Sequence, residues 1–150
     1  MKNTKQPIQL LILVLLLLAL ASGPVFGQSG ARQKVVVHLT HYTDNLHAVT
    51  MAVHLAHMMQ TMGADVTMVL DLEGVRLADN RQSQELVWGK SEPISKEVAA
   101  FLKAGGQMLL CPHCSEHAGL TAANLRPGAR IAKEGELPKT ILAADKILDY

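Results

Sequence analysis

The sequence predicts a three-layer α/β/α domain in which helices cover both faces of a mainly parallel sheet of four or five strands. Short β-branched runs alternate with helix-forming segments, a pattern that favours right-handed βαβ crossovers. The length of 150 residues suits one domain and leaves no room for two ordinary ones. An apolar content of 49% is sufficient for a buried core.

Residues 1–27 are predicted to be a signal peptide that precedes this domain. Lys2 and Lys5 come before Ile8–Ala21, an almost unbroken apolar run. A basic start, a short apolar run and small residues at its exit are typical of export signals, whereas a spanning helix needs about 20 apolar residues. We expect cleavage near Gly27, and an uncleaved anchor is the alternative.

Removal of the predicted signal peptide changes the net charge of the chain, and export determines the compartment in which the protein works. Residues 28–33 become a short spacer, residues 34–150 become the domain, and the net charge falls from +1 to −1. A near-neutral chain with 3% aromatic residues is not expected to bind nucleic acid. Export predicts a periplasmic or secreted protein without membrane contact after cleavage, in an oxidising compartment where cysteines can pair.

The first half of the domain is predicted to be strand, helix, strand and loop. Lys34–Thr40 is a β-branched run typical of a buried strand. Asp44 is expected to cap a helix that ends at Met62, just before a glycine. Asp65–Asp71 indicates the second strand, and Glu73–Asn80 is expected to be a loop.

The second half is predicted to continue the alternation after Gln82–Ser91, whose pattern is ambiguous. The expected elements are a helix, a strand, a short helix, a weak strand, a final helix, and a tail or edge strand. In chain order, they are Glu92–Ala104, Gln107–Leu110, Thr121–Leu125, Ala129–Ala132, Pro138–Lys146 and Ile147–Tyr150.

The sharpest chemical motif is Cys111-Pro112-His113-Cys114, which follows the third predicted strand directly. Open parallel sheets form their sites at the carboxyl ends of strands. Thiols at C-x-x-C spacing can pair, or one can resolve a bond formed by the other, and a helix starting at Cys114 would favour thiolate. We predict that Cys111 is the nucleophile, Cys114 the resolving thiol and His113 a support for the thiolate. A structural disulfide is the alternative.

Histidines near the same strand ends allow a different interpretation, a zinc or copper site. The candidate ligands are Cys111, Cys114, His117, His41 and His47. Only one C-x-x-C is present and no standard ligand spacing matches, so the sequence favours no resident cofactor. Among the remaining histidines, His38 lies inside the first strand and is expected to be hydrogen-bonded, while His54 and His57 are expected on a solvated helix face.

Three stretches of the chain resemble one family: VVVHLTHYTDNLHAVTMAVHLAHMMQTMGADVTMVLDLEGVRLAD, GGQMLLCPHCSEHAGL and ILAADKILDY. They are similar to the DsrE/DsrF-like family of small sulfur-relay proteins, over about Lys34 to Tyr150. The resemblance implies a DsrE/flavodoxin-like fold, assembly into homotrimers or homohexamers, and a protein that donates or accepts sulfur as partner. A cysteine after a central strand carries a persulfide in relay members; Cys111 matches it, and Cys114 matches the second cysteine of C-x-x-C members.

Taken together, these patterns predict an exported DsrE-like protein that transfers sulfur as persulfide or exchanges thiols and disulfides through Cys111 and Cys114. The sequence leaves open whether such a protein is an enzyme, and it favours a sulfur carrier or a thiol-redox protein over an enzyme that turns over a free substrate. Two alternatives remain open: a zinc or copper carrier or sensor, and a subunit of an oligomer without chemistry of its own.

Overall fold

A five-stranded, all-parallel sheet forms the centre of the computed structural model, which describes residues 31–83 and 85–150. The strands are β1 (Lys34–Leu39), β2 (Asp65–Leu70), β3 (Gln107–Leu110), β4 (Ala129–Ile131) and β5 (Lys146–Asp149). Their order across the sheet is β4-β3-β2-β1-β5. The predicted α/β fold with a parallel sheet is confirmed.

The helices occupy the connections between these strands. They are α1 (Leu46–Thr61), α2 (Ile94–Lys103), α3 (Pro112–His117) and α4 (Glu136–Leu142), with a first 3₁₀ helix at Leu72–Ala78 and a second at Ala122–Asn124. No helix in the described part of the chain is both long and apolar enough to span a membrane. The predicted signal peptide, residues 1–27, lies outside the described residues, as do residues 28–30 of the predicted spacer.

The largest part of the core lies between one face of the sheet and the pair α1 and α2. Side chains alternate between the two faces of each strand, and the register places Val37, Met68 and Met108 side by side. Phe101 of α2 and Val53 of α1 are fully buried in the same cluster. The opposite face is also buried, through Val36, Val69 and Leu109, as near-continuous apolar strands of a covered parallel sheet predict.

The start of α1 differs from the prediction by one residue. Asn45 caps the helix, since its side chain accepts a hydrogen bond from the backbone N–H of Ala48 at 3.1 Å. The carboxylate of Asp44 is occupied instead by the backbone N–H of Tyr42 and by the ring of His41. The predicted cap was therefore wrong because Asp44 closes the preceding turn.

The segment predicted to be a loop, Glu73–Asn80, is mostly the first 3₁₀ helix. Asp71 caps it by accepting a hydrogen bond from the N–H of Leu72 at 2.9 Å. Gly74 presses against the end of β1, where a Cβ atom would stand 2.1 Å from the carbonyl oxygen of Leu39. This close approach fixes the helix against the sheet, and only glycine permits it.

The last elements also differ from the prediction. The final helix is α4, which ends at Leu142 instead of continuing to Lys146. Asp145 stops it, because its backbone and side chain both bond to Lys34 and so begin β5 beside β1. The predicted tail or edge strand is thus a strand, whereas the short helix expected at Thr121–Leu125 is a single 3₁₀ turn. The described residues of Gln82–Ser91 form no helix or strand.

Candidate functional site

Polar side chains gather at the carboxyl edge of the sheet, where four neighbouring strands end. His38 lies on β1 opposite Asp149 of β5, and the two are register partners. Asp71 follows β2 directly, and Cys111 follows β3. These strands are adjacent in the order β5-β1-β2-β3, so residues far apart in sequence come together as sites of parallel sheets do.

The C-x-x-C segment turns from strand to helix at its first cysteine. The backbone N–H of Cys111 still bonds to Leu70 of β2 at 2.9 Å, and Pro112 is the first residue of α3. Proline suits this position because its missing N–H would have no partner within the helix. The N–H of Cys114 donates to Cys111 Sγ at 3.5 Å. Cys111, rather than Cys114 as expected, therefore stands at the start of the helix and receives the backbone N–H.

Both cysteines are free thiols and partly exposed, but their surroundings differ. The thiol of Cys114 donates a hydrogen bond to Asp71 Oδ1 at 2.8 Å. Its sulfur also accepts the backbone N–H of Leu72 at 3.3 Å. Leu72 has φ +46°, a left-handed conformation that is uncommon for residues other than glycine. The strained backbone of Leu72 thus holds the sulfur of Cys114 close to the carboxylate of Asp71.

The carboxylate of Asp71 is also in contact with a histidine. His38 Nε2 lies 3.7 Å from Asp71 Oδ2, and His38 Nδ1 lies 2.8 Å from Asp149 Oδ1. Asp149, His38, Asp71 and Cys114 therefore form a continuous chain of polar contacts, which we call the polar row. The expectation that His38 is a hydrogen-bonded strand residue is confirmed.

Two neighbouring members of the polar row, Cys114 and Asp71, have shifted pKa values. Burial is the largest cause that raises the pKa of Cys114, and hydrogen bonds with Asp71 and Cys111 add to it, bringing the value to about 12. Partial burial acts to raise the pKa of Asp71, but hydrogen bonds from Cys114, Leu72 and Cys111, together with His38, lower it overall. Cys114 is therefore a protonated thiol beside a carboxylate, and the expected thiolate is not favoured at that position.

A shallow depression of about 330 Å³ opens beside Cys114. It lies between the first 3₁₀ helix and α3. Its lining residues are Leu72, Glu73, Arg76, His113, Cys114, His117 and Ala118. Arg76 is paired with Glu73 at 2.6 Å. The depression gives a partner group a path from solvent towards the Cys114 thiol.

The predicted histidines do not assemble around the sulfur atoms. His41 bonds to Asp44, and His47 stacks on Trp88 with ring centroids 3.9 Å apart. His113 and His117 pack edge to face against each other at 4.6 Å. Within the described residues, neither of these two rings hydrogen-bonds a cysteine sulfur. The proposed support of a thiolate by His113 therefore has no direct contact in the structure.

The residues whose ligand atoms could surround a metal ion are Asp71, Cys111 and Cys114. Their ligand atoms lie within 4.8 Å of one another, and this is the group of three or more that the described residues offer. The set expected from the sequence, in which His117, His41 and His47 joined the thiols, is not brought together, because those rings have the contacts given above. Zinc or copper binding itself stays a prediction.

Sequence reasoning identified the two cysteines but missed Asp71 and Asp149. Asp71 ends the predicted second strand, so its place at the carboxyl edge was a usable signal. Asp149 gave no such signal, because its position depends on β5 pairing with β1 across 111 residues. Pairing partners at that separation are not visible in local sequence patterns.

One family model matches most of this chain, and several solved structures share its fold. The sequence model of the DsrE/DsrF-like family matches residues 33–150. The YchN protein of E. coli shares 20% identity over 79% of this chain and 99% of its own, with a TM-score of 0.60. No curated protein matches this chain significantly.

Two further solved structures have the same fold, and both are described as proteins of unknown function. BT1422 of Bacteroides thetaiotaomicron is 19% identical over 79% of this chain and 95% of its own, with a TM-score of 0.56. MTH1491 of Methanobacterium thermoautotrophicum is 13% identical over 79% of this chain and 99% of its own, with a TM-score of 0.57.

Proposed function

The chain belongs to the DsrE/DsrF-like family, and from that premise we propose that it carries sulfur or exchanges thiols through Cys111 and Cys114. Family and fold support a function of the sulfur-relay type in general. The observation that carries the proposal is the pair of free, partly exposed thiols at the carboxyl edge of the sheet. A carrier needs a thiol that a partner's sulfur atom can reach, and Cys111 is free and partly exposed to solvent.

Cys111 is the sulfur acceptor in this proposal. Its sulfur receives the backbone N–H of Cys114, and a hydrogen bond of this kind stabilises a negatively charged sulfur. In the loading step, the Cys111 thiolate attacks the outer sulfur of a donor persulfide. The donor's S–S bond breaks, the donor leaves as its thiolate, and Cys111 becomes a persulfide. The step needs no external oxidant, because the transferred sulfur is already oxidised in the donor.

The proposal also includes export and self-assembly. The predicted signal peptide at residues 1–27 supports a periplasmic or secreted protein, and the family resemblance supports a homotrimer or homohexamer. A thiol carrier in an oxidising compartment must work where disulfides form readily. The test below therefore uses assembled protein purified from the exported fraction of the cells.

Sulfur loading distinguishes the roles of the two thiols. The wild type, Cys111→Ser and Cys114→Ser are incubated with glutathione persulfide and examined by intact-mass spectrometry. We expect the wild type and Cys114→Ser to gain the mass of one sulfur atom, and Cys111→Ser to gain none. Equal loading of both single variants, or no loading of the wild type, would contradict the proposal.

A further inference from the structure

The hydrogen bond between Cys114 and Asp71 affects what happens to a sulfur atom after it has been loaded. The thiol of Cys114 donates to Asp71 Oδ1 at 2.8 Å, while the N–H of Leu72 bonds to the same oxygen at 2.9 Å and to the sulfur at 3.3 Å. The proton of Cys114 is thus directed at the carboxylate of Asp71.

The carboxylate that holds this proton is itself fixed in place. His38 of β1 stands 3.7 Å from its second oxygen, and Asp149 of β5 bonds the far side of the same ring at 2.8 Å. The titratable groups that face Asp71 are therefore His38, Cys111 and Cys114. Because they come from β1 and from the start of α3, the orientation of Asp71 is set by the fold rather than by one flexible loop.

A persulfide on Cys111 can be lost by an internal reaction. In that reaction the sulfur of Cys114 attacks Cys111 Sγ, the bond from Cys111 Sγ to the outer sulfur breaks, and a Cys111–Cys114 disulfide forms. The outer sulfur leaves as hydrosulfide after taking up the proton of Cys114. The outer sulfur is reduced and the sulfur of Cys114 is oxidised, while Cys111 Sγ keeps the oxidation state that it reached on loading. No other reagent is therefore needed, but Cys114 must react as a thiolate.

We propose that Asp71 is a specificity-determining residue that keeps Cys114 from discharging a persulfide on Cys111, so that the chain passes sulfur to a partner thiol. This inference rests on the proposed function and deepens it. It selects persulfide transfer over dithiol–disulfide exchange, because both internal discharge and dithiol oxidation need Cys114 to attack or to leave as a thiolate. It also changes the role expected of Cys114 from a resolving thiol to a restrained one.

The protonation of Cys114 supports the same conclusion. Burial, Asp71 and Cys111 raise the pKa of Cys114 to about 12, so the protonated thiol is the favoured form of Cys114 at neutral pH. A neighbouring negative charge disfavours a second one, so removal of the carboxylate charge should release the thiol.

The experiment follows the fate of loaded sulfur. The assembled wild type and Asp71→Asn are loaded with glutathione persulfide, freed of donor, and followed for hydrosulfide release and for a Cys111–Cys114 disulfide. We expect Asp71→Asn to discharge at least about tenfold faster, since each unit by which the pKa of the thiol falls raises its thiolate population tenfold. Asp65→Asn, which alters the opposite end of β2, is the matched control and should discharge like the wild type.

Two further variants separate the causes. Asp71→Asn combined with Cys114→Ser should keep its sulfur as long as the wild type does, because the attacking thiol is gone. Asp71→Ala should behave like Asp71→Asn, and it removes any hydrogen bond that the asparagine oxygen retains. Normal loading followed by equal discharge in the wild type and both Asp71 variants would overturn this inference alone. Failure of the wild type to load would overturn the proposed function, and this inference with it.

Discussion

The two ends of the first 3₁₀ helix each carry an aspartate, and the two aspartates have different partners. Asp71 stands before Leu72, and Asp79 stands after Ala78. Both have a pKa below its usual value. The difference lies in what faces each carboxylate, and it separates a structural aspartate from one that can affect chemistry.

Asp79 is satisfied by a strong and conventional set of donors. Arg81 holds it with two side-chain bonds at 2.8 and 2.9 Å and with its backbone N–H at 3.0 Å, while Gln82 adds a fourth at 3.2 Å. These bonds from Arg81 are the largest cause that lowers the pKa of Asp79 to about 2. The side chain is only 2% exposed, and a bidentate pair of this kind leaves it no capacity for other groups.

Asp71 has weaker and more reactive partners. Its side chain is 34% exposed, and it faces the Cys114 thiol and the His38 ring instead of a guanidinium. A thiol is a weak donor with a pKa that its surroundings shift easily. The comparison teaches that one short helix anchors the fold at its end near Asp79 and contacts the sulfur of Cys114 at its end near Asp71.

Removal of the Asp79 carboxylate should destabilise the fold more than removal of the Asp71 carboxylate does. This difference in the free energy of unfolding is the largest effect that we expect. Asp79→Ala should lower the free energy of unfolding by about 3 kcal/mol, because buried hydrogen bonds to a charged group are lost. Asp71→Ala should lower it by about 1 kcal/mol or less, since its exposed partners can turn to water. Urea denaturation of both variants measures the difference, and equal losses would refute the comparison.

Acid should weaken the Asp79 end in a defined window. The pKa of Asp79 falls from 3.8 to about 2 on folding, so its stabilisation is present above about pH 4 and is lost as the pH falls through about 2. The stability at stake is about 2 kcal/mol. Urea unfolding measures the free energy of unfolding of the wild type and of Asp79→Asn. The stability advantage of the wild type over the variant should shrink as the pH falls from about 5 to about 2. An advantage that stays constant over this range would show that Asp79 acts without its charge.

The smallest expected effect concerns the backbone that joins Asp71 to Cys114. Leu72 is 64% exposed and has φ +46°, so its side chain contributes little burial while its backbone is strained. Leu72→Gly should raise the free energy of unfolding by about 0.5 kcal/mol, the net of relieved strain and the greater freedom of glycine when unfolded. Leu72→Ala keeps the strain and serves as the control. If both variants changed thermal stability equally, backbone strain at this position would be excluded.

The sequence predicted the parts of this molecule that depend on local patterns. The strands at Lys34, Asp65 and Gln107 were found because β-branched and apolar runs mark buried strands, and Cys111 was placed correctly after the third. The end of the last helix was missed because it is set by Asp145 bonding to Lys34, a contact between distant segments. Asp71, which lies 43 residues from its partner Cys114, was also missed, although its place at the end of the predicted second strand was a usable signal.

The order of strands in the sheet has a consequence for how the site is assembled in time. Cys114 meets Asp71 once β3 pairs with β2, across 43 residues, whereas His38 meets Asp149 only after β5 docks on β1, across 111 residues. Contacts between more distant residues cost more loop-closure entropy and form more slowly. During folding, the contact that restrains the Cys114 thiol is therefore expected to form early, and the support that His38 and Asp149 give to Asp71 is expected to be completed late.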